Sequence, residues 1–221
     1  MDHLKLQQRK FTSMRLCSAP YPRTFLGKEI LIFPNVFAPA TDTKLLISSV
    51  TINPQETVLE TCAGTGVISL FLANKAKKIV AVDINPAAIQ NMNVNIQKHG
   101  LKNMQALLAD LFPPLEKFDV IVLNPPYTDK EAKDIVEKSM WDKEHGLIQR
   151  FFQQARNYLS PHGRIYCSWA NFADFKFIEH LAVKNNFTNL LIAEFIKEDK
   201  IYRVYELRNL TPSSPADLSS K

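Results

Sequence analysis

From Thr57 onward the chain alternates short β-type apolar runs with longer helix-period segments, which restricts it to an open α/β sheet covered on both faces. Residues 57–59 read as the first strand, 67–75 as its crossover helix and 79–82 as the second strand. Residues 86–99 read as a second helix with Asn85 as cap, Pro86 in the first turn and Gly100 as the stop. Met104–Leu108 and Phe118–Leu123 are strands three and four. Residues 147–159 then place Leu147, Ile148, Phe151, Phe152, Ala155 and Tyr158 on one helical face, and residues 164–169 are strand five. A helix over residues 175–185 precedes two further runs, Leu190–Lys197 and 201–207, joined by Glu198-Asp199-Lys200 as a β-hairpin. The last strand therefore runs backward. A dehydrogenase's dinucleotide-binding sheet is normally parallel throughout, so this hairpin sets the chain apart from that class.

At 221 residues the chain fits one α/β domain, with a core that needs no disulfide or metal. Cys17, Cys62 and Cys167 are odd in number and widely spaced, and read as thiols. No apolar run approaches the ~18 residues of a membrane span, and Met1 to Lys10 contains no signal core, so the expectation is a soluble cytoplasmic protein. Residues 1–28 carry Lys5, Arg9, Lys10, Arg15, Arg23 and Lys28 against Asp2, and so hold the whole net charge of +5. This segment reads as a flexible basic leader, either a solubilising end or a phosphate-binding one. Residues 29–208 read as the folded domain and 209–221, rich in Ser and Pro, as a disordered tail.

Asn124-Pro125-Pro126-Tyr127 follows the apolar run Val120-Ile121-Val122-Leu123, so a rigid tetrapeptide sits where a buried strand leaves the sheet. The two prolines fix φ and bias the residue before each toward extended geometry, which lets the Asn124 side chain and the Pro125 carbonyl converge on one spot. Two acceptors then face one NH2. Such a nitrogen is a poor nucleophile because its lone pair is delocalised, and the Tyr127 ring offers a face on which its plane can stack. The plain alternative is a surface turn, since Asn-Pro and Pro-Pro are common loop punctuation.

Glu60-Thr61-Cys62-Ala63-Gly64-Thr65-Gly66 joins strand one to the first helix, where small residues let backbone amides approach a ligand. Asp83 ends strand two, placed to accept both hydroxyls of a ribose, and Asp110 follows strand three, placed to accept from an adenine amino group or to act as a turn residue. Gly64-Thr65-Gly66-Val67-Ile68-Ser69 nearly matches a dinucleotide fingerprint, with Ser69 in place of the third glycine. Glu60 beside that loop would repel a pyrophosphate and suits a cationic amino-acid moiety. Asp42 also reads as a helix cap, and His99, His145 and His162 as loop or capping residues. No metal-ligand cluster is visible in the sequence.

Together Glu60 to Gly66, Asp83, Asp110 and Asn124 to Tyr127 resemble a class I S-adenosylmethionine-dependent methyltransferase that modifies amino groups. Phe37 to Leu46 is similar to the segment ahead of the cofactor loop in release-factor glutamine methyltransferases, as are Trp141-Asp142 to Gly146 and Arg156 to Pro161. The resemblance implies a Rossmann-like α/β fold with a mainly parallel seven-stranded sheet and a carboxy-terminal antiparallel hairpin. It implies that Asn124, Pro125, Pro126 and Tyr127 form the catalytic motif, with Asn124 and Pro125 on the target nitrogen and Tyr127 packed on it. It further implies that Thr43, Glu60, Cys62, Ala63, Gly64, Thr65, Gly66, Asp83, Ile84, Asp110, Leu111 and Asn124 hold S-adenosyl-L-methionine. The expected acceptor is a protein glutamine, such as that of a translation release factor; the alternative is an exocyclic base amine of RNA or DNA. Cys62 departs from the family loop, which has glycine there, and the chain lacks the helical amino-terminal domain of the bacterial enzymes. It looks more like a short eukaryotic and archaeal branch, whose members work with a small zinc-binding activator subunit.

Overall fold

Alternating apolar residues along five neighbouring segments generate two buried faces on one sheet. The computed structural model describes residues 3–114 and 116–210. In chain order the elements are α1 (His3–Leu16), β1 (Tyr21–Phe25), β2 (Lys28–Ile32), α2 (Thr41–Ser49), β3 (Thr57–Thr61), α3 (Val67–Leu72), β4 (Lys78–Asp83), α4 (Pro86–Lys98), β5 (Met104–Leu108), β6 (Phe118–Leu123), α5 (Gly146–Tyr158), β7 (Leu159–Ala170), α6 (Phe175–Lys184), β8 (Leu190–Lys197) and β9 (Lys200–Arg208). The large sheet has seven strands in the order β5-β4-β3-β6-β7-β9-β8. Strands β3 to β7 pair in parallel, and β9 runs antiparallel to both β7 and β8. The expected hairpin is thus present, and places β9 inside the sheet with β8 at its edge.

Each face has its own core. Leu59, Val82, Ile121, Leu123 and Cys167 pack with Ile148, Phe151 and Phe152 of α5 and Ile178 of α6. From the opposite face Val58, Ile79, Val120, Val122 and Tyr166 pack with Leu46 of α2, Ile68 of α3 and Met92 of α4. This period-two split fixes register, because a one-residue slip would exchange the two faces of a strand. Asn85 caps α4 as its sequence dictates, accepting the Ala87 amide at 3.0 Å.

The amino-terminal segment differs from the flexible leader expected of it. Residues 3–16 form α1, and β1 pairs with β2 in a separate two-stranded sheet. Phe11 is buried and meets the Trp141 ring edge-on, with centroids 4.9 Å apart. Gln7 Nε2 donates to Thr128 Oγ1 at 2.8 Å, while its Oε1 accepts from Trp141 Nε1 at 2.8 Å. Arg15 pairs with Asp134 and Glu137. These anchors lie more than 115 residues away in sequence, which is why local composition read the segment as free. Of the expected tail, residues 209–221, Asn209 bridges to Phe187 and Leu210 N–H donates to the Asn186 carbonyl at 2.9 Å, while residues 211–221 lie outside the described residues.

Candidate active site

The carboxyl ends of β3, β4, β5 and β6 open onto one cavity of about 530 Å³, within the range of small-molecule and cofactor sites. Thr43, Glu60, Cys62, Ala63, Gly64, Thr65, Asp83, Ile84, Asp110, Leu111 and the tetrapeptide Asn124 to Tyr127 all line it. Gly66 does not. It stands at φ +70° as the residue before α3, and a Cβ there would lie 2.6 Å from Met92 Cγ, so its lack of a side chain serves helix packing.

Backbone donors organise the acidic residues. Gly64 N–H donates to Asp83 Oδ2 at 2.8 Å and Asn85 N–H to Oδ1 at 2.8 Å, so the loop after β3 is tied to the end of β4. Burial nevertheless raises the Asp83 carboxyl above its ordinary value. Glu60 is buried and accepts the Ser69 amide of α3 at 2.7 Å. Its pKa is pushed up to about 7, first by burial and further by the nearby Asp83, against the pull of Ser69. A carboxylate already occupies this helix amino terminus, the place where a dinucleotide fold would seat its pyrophosphate. Burial likewise pushes the Cys62 thiol up, so it stays protonated beside the loop. These groups suit a cofactor with hydroxyls and an ammonium: carboxyl oxygens at two strand ends and backbone amides between them.

Asp110 is placed as expected but is not free. Arg150 of α5 grips both its oxygens, at 2.8 and 3.2 Å, and lines the same cavity. The sequence pattern of α5 showed its apolar face and gave no sign of this partner.

At the other end of the cavity the Tyr127 hydroxyl lies 2.5 Å from Asn124 Oδ1, 2.9 Å from Ser168 Oγ and 3.1 Å from Asp42 Oδ2, and Ser168 Oγ is 2.7 Å from Asn124 Oδ1. Thr43 Oγ1 is 3.4 Å from the Asn124 nitrogen. A phenol has one proton, so it cannot serve both an amide oxygen and a carboxylate. Exchanging the Asn124 amide oxygen and nitrogen resolves the count: Nδ2 donates to Tyr127 and Ser168, Tyr127 donates to Asp42, and Oδ1 turns toward Thr43 with a lone pair to spare. The Tyr127 ring is itself buried edge-on to Trp169 and Phe172, with centroids 5.5 and 5.9 Å away. Asp42 is not the helix cap: α2 begins at Thr41, and the Asp42 carboxylate accepts the Thr43 amide at 2.9 Å besides facing Tyr127.

The sequence reading missed the far wall of the cavity. His3, Leu6, Gln7 and Lys10 of α1 line it, with Met140, Trp141, Phe172, Lys200 and Tyr202. His3 stacks on Phe172 with centroids 5.1 Å apart. Only the Trp141-Asp142 pair had been singled out. The others come from α1, the loop before α5, the residues after β7 and the start of β9, which only the tertiary fold brings together.

Among the described residues no helix is long and apolar enough to cross a membrane, and no cluster of metal-ligating side chains is found. Several solved structures share the fold. A T. thermophilus 16S rRNA N2 G1207 methyltransferase, solved with AdoMet and guanosine, superposes with a TM-score of 0.65 at 23% identity, over 86% of this chain and 50% of that one. The Mtq2 and Trm112 complex of E. cuniculi, described as methylating the eRF1 termination factor, matches with a TM-score of 0.60 at 18% identity, over 79% of this chain and 99% of that one. In sequence, a Methanocaldococcus jannaschii protein assigned to the protein N5-glutamine methyltransferases is 34% identical over 145 residues, 62% of this chain and 73% of the relative. A release factor glutamine methyltransferase of Borreliella burgdorferi is 29% identical over 185 residues; the match spans 76% of this chain and 64% of that enzyme's length. The family model for the methyltransferase small domain matches residues 29–206, and the chain belongs to that family.

Proposed function

We propose that this protein transfers a methyl group from S-adenosylmethionine to the side-chain amide nitrogen of a glutamine in a protein of the translation machinery, in the cytoplasm. The observation that carries the reading is the joining of two half-sites in one cavity: the Glu60 to Asp83 loop system, and Asn124 oriented by Tyr127, Ser168 and Asp42. Relatives named for glutamine methylation of release factors and of ribosomal protein uL3 support the choice of acceptor.

Bound S-adenosylmethionine supplies an electrophilic methyl on a sulfonium centre. The chain's part is positional. Asp83 receives the ribose hydroxyls, and Glu60 at the base of the loop favours the cationic amino-acid end. Asn124 Oδ1 and the Pro125 carbonyl accept the two N–H bonds of the target amide, which fixes its plane and aims the nitrogen lone pair. Holding the reactants in line supplies most of the acceleration. No histidine is needed as a base, because the nitrogen loses its proton to water once methylated.

A small activator subunit belongs to the same proposal, supported by the Mtq2 and Trm112 complex. Modification of an RNA or DNA base amine is the second reading, favoured by the basic character of residues 1–28. Radiolabel transfer into a fractionated lysate, followed by protease or nuclease, separates the two. Protease-sensitive label supports the protein acceptor and nuclease-sensitive label removes it.

A further inference from the structure

The acceptor end of the cavity carries more positive charge than its own carboxylates use. Lys10 reaches into it from α1 and Lys200 from the start of β9. Lys10 is partly buried, with its ammonium over the Phe37 ring at 4.9 Å from the centroid. Neither lysine forms an ion pair with any described residue. The lining at this end holds Lys10, Lys138, Lys143 and Lys200 against Asp42, Glu131 and Asp142, a surplus of one positive charge, and Glu131 is already paired with Lys143.

Two unpaired ammonium groups facing one cavity cost free energy unless something of opposite charge arrives between them. Burial lowers the Lys10 pKa, Asp42 partly opposes this, and Lys200 and Arg23 lower it further. An arriving anion would relieve that strain.

Building on the glutamine reading, we infer that this end of the cavity binds one carboxylate of a peptide acceptor, from an acidic residue close to the target glutamine, between Lys10 and Lys200. A single carboxylate fits better than a nucleic-acid backbone. A run of phosphates would bring several negative charges to an end whose lining, Asp42, Glu131 and Asp142 included, has a surplus of one positive charge. One carboxylate needs only the two ammonium groups. Because α1 supplies Lys10, the amino-terminal helix takes part in acceptor selection rather than acting as a solubilising end.

The test uses the full chain saturated with S-adenosylhomocysteine and fluorescent peptides that hold one glutamine, each neighbouring position being Glu, Gln, Lys or phosphoserine in turn. Binding is read by anisotropy, and methyl transfer to the same peptides is read separately. Wild type should bind a Glu peptide about tenfold tighter than its Gln counterpart at one position, the scale of a charge-assisted contact. Lys10→Gln and Lys200→Gln should each erase most of that preference with unchanged affinity for S-adenosylhomocysteine, and Lys200→Glu should shift it toward the Lys peptide. Equal binding of Glu and Gln peptides, or a preference that survives both glutamine variants, overturns the carboxylate site. A preference for phosphoserine over Glu also overturns it, in favour of a phosphate. Selective binding without transfer to any peptide would leave the carboxylate site standing and count against glutamine as the methylated group.

Discussion

The Tyr127 hydroxyl stands between Asn124 and Asp42, 2.5 Å from the amide of the first and 3.1 Å from the carboxylate of the second. Tyr127 therefore orients Asn124, where its ring alone had been expected to matter as a stacking face. Tyr127→Phe keeps the ring and loses the tether. We predict that it lowers the transfer rate by roughly 10- to 100-fold, the effect of a modest misplacement of a positioning group, with S-adenosylhomocysteine affinity almost unchanged. Steady-state kinetics beside calorimetry measure both; full activity in Tyr127→Phe would return the role to the ring.

Asp83→Ala should weaken S-adenosylhomocysteine by roughly 1.5–3 kcal/mol, the value of hydrogen bonds to a charged group. The same substitution frees the Gly64 and Asn85 amides. Calorimetry with NAD as a control checks ligand class: wild type binds the adenosyl ligand, and NAD binding in its place would contradict the assignment.

The two loop glycines should separate stability from binding. Gly66→Ala combines strain at φ +70° with a 2.6 Å approach to Met92 Cγ, and overpacking of this kind costs about 1–3 kcal/mol. At Gly64, φ is +54° and the nearest neighbour of an added Cβ is the Phe37 oxygen at 3.8 Å. Gly64→Ala should therefore unfold closer to wild type and lose more cofactor affinity, since Gly64 lines the cavity and Gly66 does not. Urea titration and ligand binding on both variants decide it.

Most of the sheet was legible because its signals are local. Val120–Leu123 is an unbroken apolar run, Asn85-Pro86 announces a helix start, and Glu198-Asp199-Lys200 breaks two β-type runs. The loop acids and Asn124 were legible for the same reason, as each sits where a strand must end. What escaped was held by distant partners: α1 by Trp141, Thr128, Asp134 and Glu137, Asp110 by Arg150, and Tyr127 by Asp42 and Ser168. Hydrogen bonds across 40 to 134 residues leave no periodic trace in a sequence.

Glu60 should make stability pH-dependent. Its folded value of about 7 lies above the ordinary 4.5, so the folded state holds this proton more tightly than the unfolded chain. Stability from this group is then greatest below the unfolded value and falls as pH rises toward 7, by on the order of 1–3 kcal/mol. Glu60→Gln should remove that slope. Urea unfolding of both proteins at several pH values tests the sign, and a difference that does not change with pH would contradict it.

The central claim is that Asn124 holds a glutamine amide for methyl transfer. It is tested most directly by incubating wild type and Asn124→Ala with S-adenosylmethionine and a purified release factor, then locating the added methyl by tandem mass spectrometry. Wild type should place it on a glutamine side-chain nitrogen, and Asn124→Ala, with normal S-adenosylhomocysteine binding, should place none. Equal methylation by both proteins, or a wild type that labels only nucleic acid under the same conditions, would contradict the account.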